Sequence, residues 1–209
     1  MKASSRASLR WRLAAPSTAV VLAAAGWVAV ASTAAGASVH RQPSGFNRPG
    51  DILIADQFNN RVIEINRHHQ VVWSFGNGSN VPGPHSVVGT NDAERVPGGL
   101  TLIAGTGSPP GVDPSCKKKA GCPDNRVFLV NRAGHIVWQY GQAGVTGSGF
   151  NELNTPVQAT YLPNGHILIT DQVNERVIEV TRSHKIVWQY GKTGVSGSGR
   201  NEQIGRAHV

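Results

Sequence analysis

The chain has 209 residues, only 15% of them charged, and 25 glycines, which suits one domain or two built from many short strands and argues against a disordered polar chain. A formal net charge of +8 would ordinarily raise nucleic-acid binding. Much of that excess lies at the N-terminus, however, and setting aside Lys2, Arg6, Arg10, Arg12 and the tail's Arg206 leaves 15 basic against 12 acidic residues, so no nucleic-acid partner is expected.

In chain order, the four basic residues precede an apolar, Ala-rich run from Leu13 to Ala31. "STAAGAS" follows, with small residues Ala35 and Ala37 at the positions a signal peptidase requires. Residues 1–37 therefore read as a secretory signal cut after Ala37. An uncleaved anchor over residues 13–35 is the alternative, because the stretch approaches the ~20 residues that span a bilayer. Either reading places the rest of the chain outside the cytoplasm, with a membrane contact only if the signal stays attached.

Residues 38–203 are dominated by an internal repeat. One copy is "GDILIADQFNNRVIEINRHHQVVWSFG" (50–76) and another is "GHILITDQVNERVIEVTRSHKIVWQYG" (165–191). Between them, "GLTLIAG" (99–105) resumes as "DNRVFLVNRAGHIVWQYG" (124–141) after about sixteen inserted residues. Each unit breaks into β-type pieces bounded by turn residues, for example "VQATYL", "HILIT", "RVIEVT" and "KIVWQYG". Four strands in roughly 40–50 residues is the arithmetic of a β-propeller blade. The expected fold is all-β, a propeller of four-stranded blades with about three blades present, short of a closed ring.

"GVTGSGFNELNTPVQA" followed by "LPNGHILITDQVNERVIEV" resembles the NHL-type propeller repeat, with its Gly-rich approach, Pro, and Asp-x-x-Asn-x-Arg core. The "IVWQYG" ending is more similar to blades of arylsulfotransferase-like propellers, and loosely to quinoprotein propellers. The resemblance covers residues 50–202 and implies the architecture; blades of this kind carry unrelated activities.

Asp56 with Arg61 and Asp171 with Arg176 recur at one spacing and read as structural ion pairs tying the second strand to the third. In the middle copy Arg126 persists, but Gly105 stands where the Asp belongs, so no pair is assumed there. Trp73, Trp138 and Trp188 share one position in the last strand and suit packing between neighbouring blades. The quinoprotein pattern is not met around them, and no cofactor is expected. Cys116 and Cys122 lie in the insertion, at about 106–122, and are expected to form a disulfide in an exported protein. A metal site would need more ligands, and none is expected.

His68, His69, His135 and His184 fall at the turn into the last strand and read as exposed. His85, in the Gly/Pro loop leading to the next blade, is the one catalytic candidate that the resemblance implies, since arylsulfotransferase-like enzymes use a histidine nucleophile. Aligning "NDAERVPGG" with "VQATYLPNG" places Asn91, Asp92 and Gln158 on innermost strands, as candidate ligand-facing residues or as hydrogen-bonding residues of the blade. The tail "IGRAHV" has no counterpart in the repeats and matches what the start of a common sequencing-library adapter encodes. Residues 204–209 are accordingly expected to be a sequencing-adapter artefact. The leading expectation is an exported binding or interaction scaffold for a protein, carbohydrate or small molecule. The alternative is a propeller enzyme, arylsulfotransferase-like or a lyase or hydrolase.

Overall fold

The computed structural model describes residues 46–202. The expected signal or anchor (1–37) and the tail (204–209) lie outside the described residues. Eleven strands form three antiparallel sheets. Sheet 1 contains β1 (Ile52–Asp56), β2 (Arg61–Ile65) and β3 (Val71–Phe75). Sheet 2 contains β4 (Thr90–Val96), β5 (Leu100–Ser108), β6 (Cys122–Val130) and β7 (Ile136–Tyr140). Sheet 3 contains β8 (Pro156–Tyr161), β9 (Ile167–Asp171), β10 (Arg176–Val180) and β11 (Ile186–Tyr190).

Strands follow one another in each sheet as a simple meander, consistent with propeller blades. Among the described residues no α-helix and no closed ring is found, and sheet 1 has three strands where the repeat predicts four. No described helix is long and apolar enough to cross a membrane.

The repeat explains how the sheets stack. Alternation sends Val62 and Glu64, with Trp73 and Phe75 beside them in register, to one face of sheet 1. There the apolar members meet Ile103, Phe128 and Val130 of sheet 2. One repeat later, Val127, Leu129, Trp138 and Tyr140 meet Ile167, Ile169, Ile178 and Val180 of sheet 3. Each such side chain, when fully buried, contributes about 1.5–3 kcal/mol.

Both buried tryptophans also keep their indole N–H satisfied across the sheet boundary. Trp73 Nε1 donates to the carbonyl of Arg132 (3.0 Å) and Trp138 Nε1 to that of Arg182 (2.9 Å). The innermost strands are stitched differently. Asp92 and Glu94, on one face of β4, accept the backbone N–H groups of Ala159 (3.0 Å) and Tyr161 (2.6 Å) on β8.

The insertion does not leave the sheet as a loose loop. It lengthens β5 and β6 beyond the other blades' strands, with a bulge between Gly105 and Gly107, and its end pairs Ser108 with Cys122. Cys116 and Cys122 are disulfide-bonded, so the turn beyond the hairpin is covalently closed.

Candidate functional site

Where the lengthened hairpin of sheet 2 faces the loops of sheet 3, it forms a cleft of about 660 Å³. Thr106, Ser108, Pro109 and Pro110 come from the hairpin, Asn125 from β6, Thr146, Asn154 and Thr155 from the loop entering β8, and Gln172, Val173 and Glu175 from the β9–β10 connection. Among the lining residues Glu175 is the one charged group, and its carboxylate accepts a hydrogen bond from Ser196 Oγ (2.7 Å). The remaining polar groups are hydroxyls and amides set between proline and valine faces.

The two strand-to-strand connections that build the cleft are held by the recurring arginine. In sheet 3, Arg176 pairs with Asp171 (2.8 Å) and donates to the carbonyls of Ser148 and Glu152 in the incoming loop. Asp171 in turn accepts the N–H of Asn154 (2.7 Å) and a side-chain bond from Asn174 (2.7 Å). Burial pushes the Asp171 carboxyl above its ordinary range, against the pull of these donors.

Sheet 2 reaches the same arrangement by another route. Arg126 pairs with Asp124, two residues earlier on its own strand, and donates to the carbonyls of Gly83 and Ser86. Asp124 accepts the N–H of Val88 (2.6 Å), as Asp171 does that of Asn154. Gly105, cross-strand partner of Arg126, makes this possible: a Cβ there would sit 2.7 Å from the Asp124 carboxyl carbon. In sheet 1, Asp56 pairs with Arg61 at 2.7 Å, but the arginine side chain is 44% exposed.

Thr155 is the unusual residue of the cleft. It adopts a left-handed backbone conformation (φ 61°), which costs a β-branched residue about 1–3 kcal/mol. The matching position one repeat earlier is Gly89 (φ 57°), for which that conformation is natural. Both are fixed alike. Asn60 Oδ1 accepts the N–H of Gly89 (2.8 Å), and Asn125 Oδ1 accepts that of Thr155 (2.9 Å). At position 89 a side chain would run into the backbone of Gly107, whereas Thr155 opens on the cleft. The pairing was legible in the sequence, since "GTNDA" and "TPVQA" stand at the same distance from the shared Ala.

The sequence-derived candidates sit elsewhere or behind the cleft. Asn91 donates from Nδ2 to Thr106 Oγ1 (2.9 Å), so it touches the lining indirectly. Asp92 is engaged with Ala159, as described, and Gln158 occupies the equivalent position on β8, half-buried opposite Thr170. His85 is exposed, with its ring 6.5 Å from that of His135 at the β6–β7 turn, and neither histidine lines the cleft. His184, expected as an exposed turn residue, is instead half-buried against Trp138 and Tyr140 of the neighbouring sheet, with ring centroids 5.7 and 5.9 Å away. Its turn folds over the inter-sheet core. Among the described residues no group of three or more His, Cys, Asp or Glu is placed to hold a metal ion.

No protein-family model and no curated protein matches the chain. Among solved structures it is similar to a protein of unknown function from Bacteroides caccae, at 14% identity and a TM-score of 0.42 over 69% of this chain and 43% of that one. It is also similar to virginiamycin B lyase from Staphylococcus aureus, at 14% identity and a TM-score of 0.44 over 70% of this chain and 39% of that one. The chain thus spans about two-fifths of the length of these structures. Likenesses this weak establish no kinship, and nothing about this chain's chemistry is taken from them.

Proposed function

We propose that this chain is an exported, propeller-type binding scaffold whose cleft between sheets 2 and 3 takes an uncharged, hydroxyl-rich ligand of the carbohydrate class. Thr155 carries the reading. A strained β-branched residue lines the cleft at the position where the preceding repeat has Gly89. Local strain of this kind concentrates at functional positions, where stability is traded for a side chain that binding needs. The lining agrees with it: hydroxyls and amides supply hydrogen bonds, prolines supply apolar faces for sugar rings, and a single carboxylate gives little attraction for anions. The disulfide-closed hairpin provides a wall stiff enough to hold such a ligand without large ordering costs.

The test is a screen of neutral oligosaccharides against the wild-type chain, repeated with Thr155→Gly and Val173→Asp. Thr155→Gly is expected to raise stability by about 1 kcal/mol while weakening retention. Val173 is exposed, so the Asp variant should fold normally and lose binding. If no neutral glycan is retained, or if both variants bind as wild type does, the reading fails.

A further inference from the structure

The chain contains two Asn-Gly steps, Asn77-Gly78 in the loop that leads from β3 to β4 and Asn164-Gly165 in the β8–β9 turn. An asparagine side chain before glycine is open to attack by the next backbone nitrogen, because glycine sets no Cβ in the way. Both asparagines are exposed, and both glycines have left-handed backbones (φ 78° and 83°). Neither water access nor backbone conformation therefore separates the two sites. Their hydrogen bonds do.

Asn164 is held at both reacting atoms. The N–H of Gly165, whose nitrogen would attack, donates to the carbonyl of Leu162 (2.9 Å). The amide nitrogen that would leave, Nδ2, donates to Glu179 Oε1 (3.1 Å). At Asn77 neither hold exists: among the described residues, the Gly78 N–H and Asn77 Nδ2 donate no hydrogen bond. Both amide oxygens do accept an N–H from two residues on, Asn77 from Ser79 (3.0 Å) and Asn164 from His166 (2.9 Å). That bond draws electrons from Cγ and makes it the better electrophile, at both sites alike. The loop around Asn77 is tied down only beyond Ser79, where Asn80 bonds Asn60 (2.7 Å) and Ser115 (2.7 Å).

We propose that Asn77 is a site of spontaneous deamidation, with water as the co-reactant. Solvent hydroxide takes the proton from the Gly78 nitrogen, which then bonds to Asn77 Cγ. The Cγ–Nδ2 bond breaks, and the amide nitrogen, protonated by water, leaves as ammonia. Water opens the resulting five-membered imide at one of its two carbonyls. Opening at Cγ gives aspartate; opening at the main-chain carbonyl gives isoaspartate, with the chain running through Cβ. Nothing is oxidised or reduced, and the net change is one water taken up for one ammonia released. Either product places a carboxylate in the hollow that Asn77 shares with Arg61, whose side chain is itself partly exposed beside Asp56. The loop that reaches from sheet 1 to Ser115 of the insertion thus ages from neutral to acidic.

The test incubates the full 209-residue chain in mildly alkaline buffer, native and in urea, then digests it at acid pH and resolves Asn, Asp and isoAsp peptides by mass spectrometry. The native chain is expected to lose its amide at Asn77, at a rate rising in proportion to hydroxide. Asn164 should react about 25-fold more slowly, since two hydrogen bonds must open at about fivefold each. In urea those bonds are gone, and the two sites should react at similar rates. Glu179→Ala removes one of the two holds and should speed the native reaction at Asn164 about fivefold, leaving Asn77 unchanged. A native Asn77 that keeps its amide while the urea-unfolded chain loses it overturns the proposal. So does a native chain in which Asn164 reacts as fast as Asn77, because the hydrogen bonds would then not select the site.

Discussion

Sheets 2 and 3 hold the same arginine over the same loop, but one draws its carboxylate from its own strand and the other from the strand beside it. Asp171 faces Arg176 across the β9–β10 pair; Asp124 reaches Arg126 from two residues along β6, into space vacated at Gly105. Lengthening β5 and β6 took away the position that an aspartate holds in the other sheets. The fold replaced the charge and kept its contacts, down to the loop N–H it accepts and the two carbonyls the arginine reaches. Sheet 1 completes the lesson: its pair has no described loop above it, and it is exposed. What is preserved is a loop anchor, and the ion pair is the means.

The largest test of that view sets buried against exposed. Removing one partner of a buried pair leaves a charge without compensation, so Arg176→Met and Arg126→Met should each lower unfolding free energy by about 3–5 kcal/mol. Arg61→Met removes the same side chain from an exposed pair and should cost no more than about 1 kcal/mol. Urea denaturation of the three variants reads the difference directly. Equal losses in all three would mean that the arginines act within their own sheets and do not depend on the loops they hold.

A smaller effect sharpens the exchange between Gly105 and Asp124. Gly105→Ala pushes a methyl group against the Asp124 carboxyl and should cost about 1–3 kcal/mol by overpacking. Gly105→Asp would crowd a second carboxylate into the same buried space. Combined with Asp124→Ser, it rebuilds the cross-strand arrangement of sheet 3, and the double variant should be more stable than the sum of the single losses by about 2 kcal/mol. Additive losses in a double-mutant cycle would show that position 105 cannot substitute for position 124.

The strands, their meander order, the disulfide and the inter-sheet tryptophans were legible because each follows from local chemistry or from repetition. Alternating Val and Ile mark the strands, Pro163-Asn164-Gly165 marks a turn, and Trp at one repeated position marks a surface every sheet shares. Asp124 was not legible. Its spacing to Arg126 differs from the repeated Asp-to-Arg spacing, and only the three-dimensional gap at Gly105 reveals that it fills the same role. The cleft was hidden for a similar reason. It is lined by residues from the insertion and from two separate connections, and no short motif brings Ser108, Thr155 and Gln172 together. Thr155 itself could have been found by aligning it with Gly89, since a threonine in a glycine position asks for an explanation.

The smallest effect concerns a position where all three sheets differ. Glu64, Leu129 and Glu179 occupy equivalent sites on the third strand of the repeat. Glu64 is buried and pairs with Arg95 across the boundary to sheet 2, and Leu129 is part of the core between sheets 2 and 3. Glu179, with no described sheet beyond it, pairs within its own sheet, accepting from His166 Nδ1 (2.6 Å) and Asn164 Nδ2 (3.1 Å). These hydrogen bonds, that of His166 foremost, hold its carboxyl below the ordinary value of 4.5. A depressed carboxylate contributes stability that is present above the unfolded-state pKa and is lost as pH falls through the folded one. Glu179→Gln should therefore flatten the stability profile in that acid range. Because the site is open to solvent, the change should stay below about 0.5 kcal/mol. Urea midpoints taken from pH 6 down to about pH 3 would show it. A variant that loses stability equally at every pH would mean that the side chain acts by packing and not by charge, which would make Glu179 the counterpart of Leu129 rather than of Glu64.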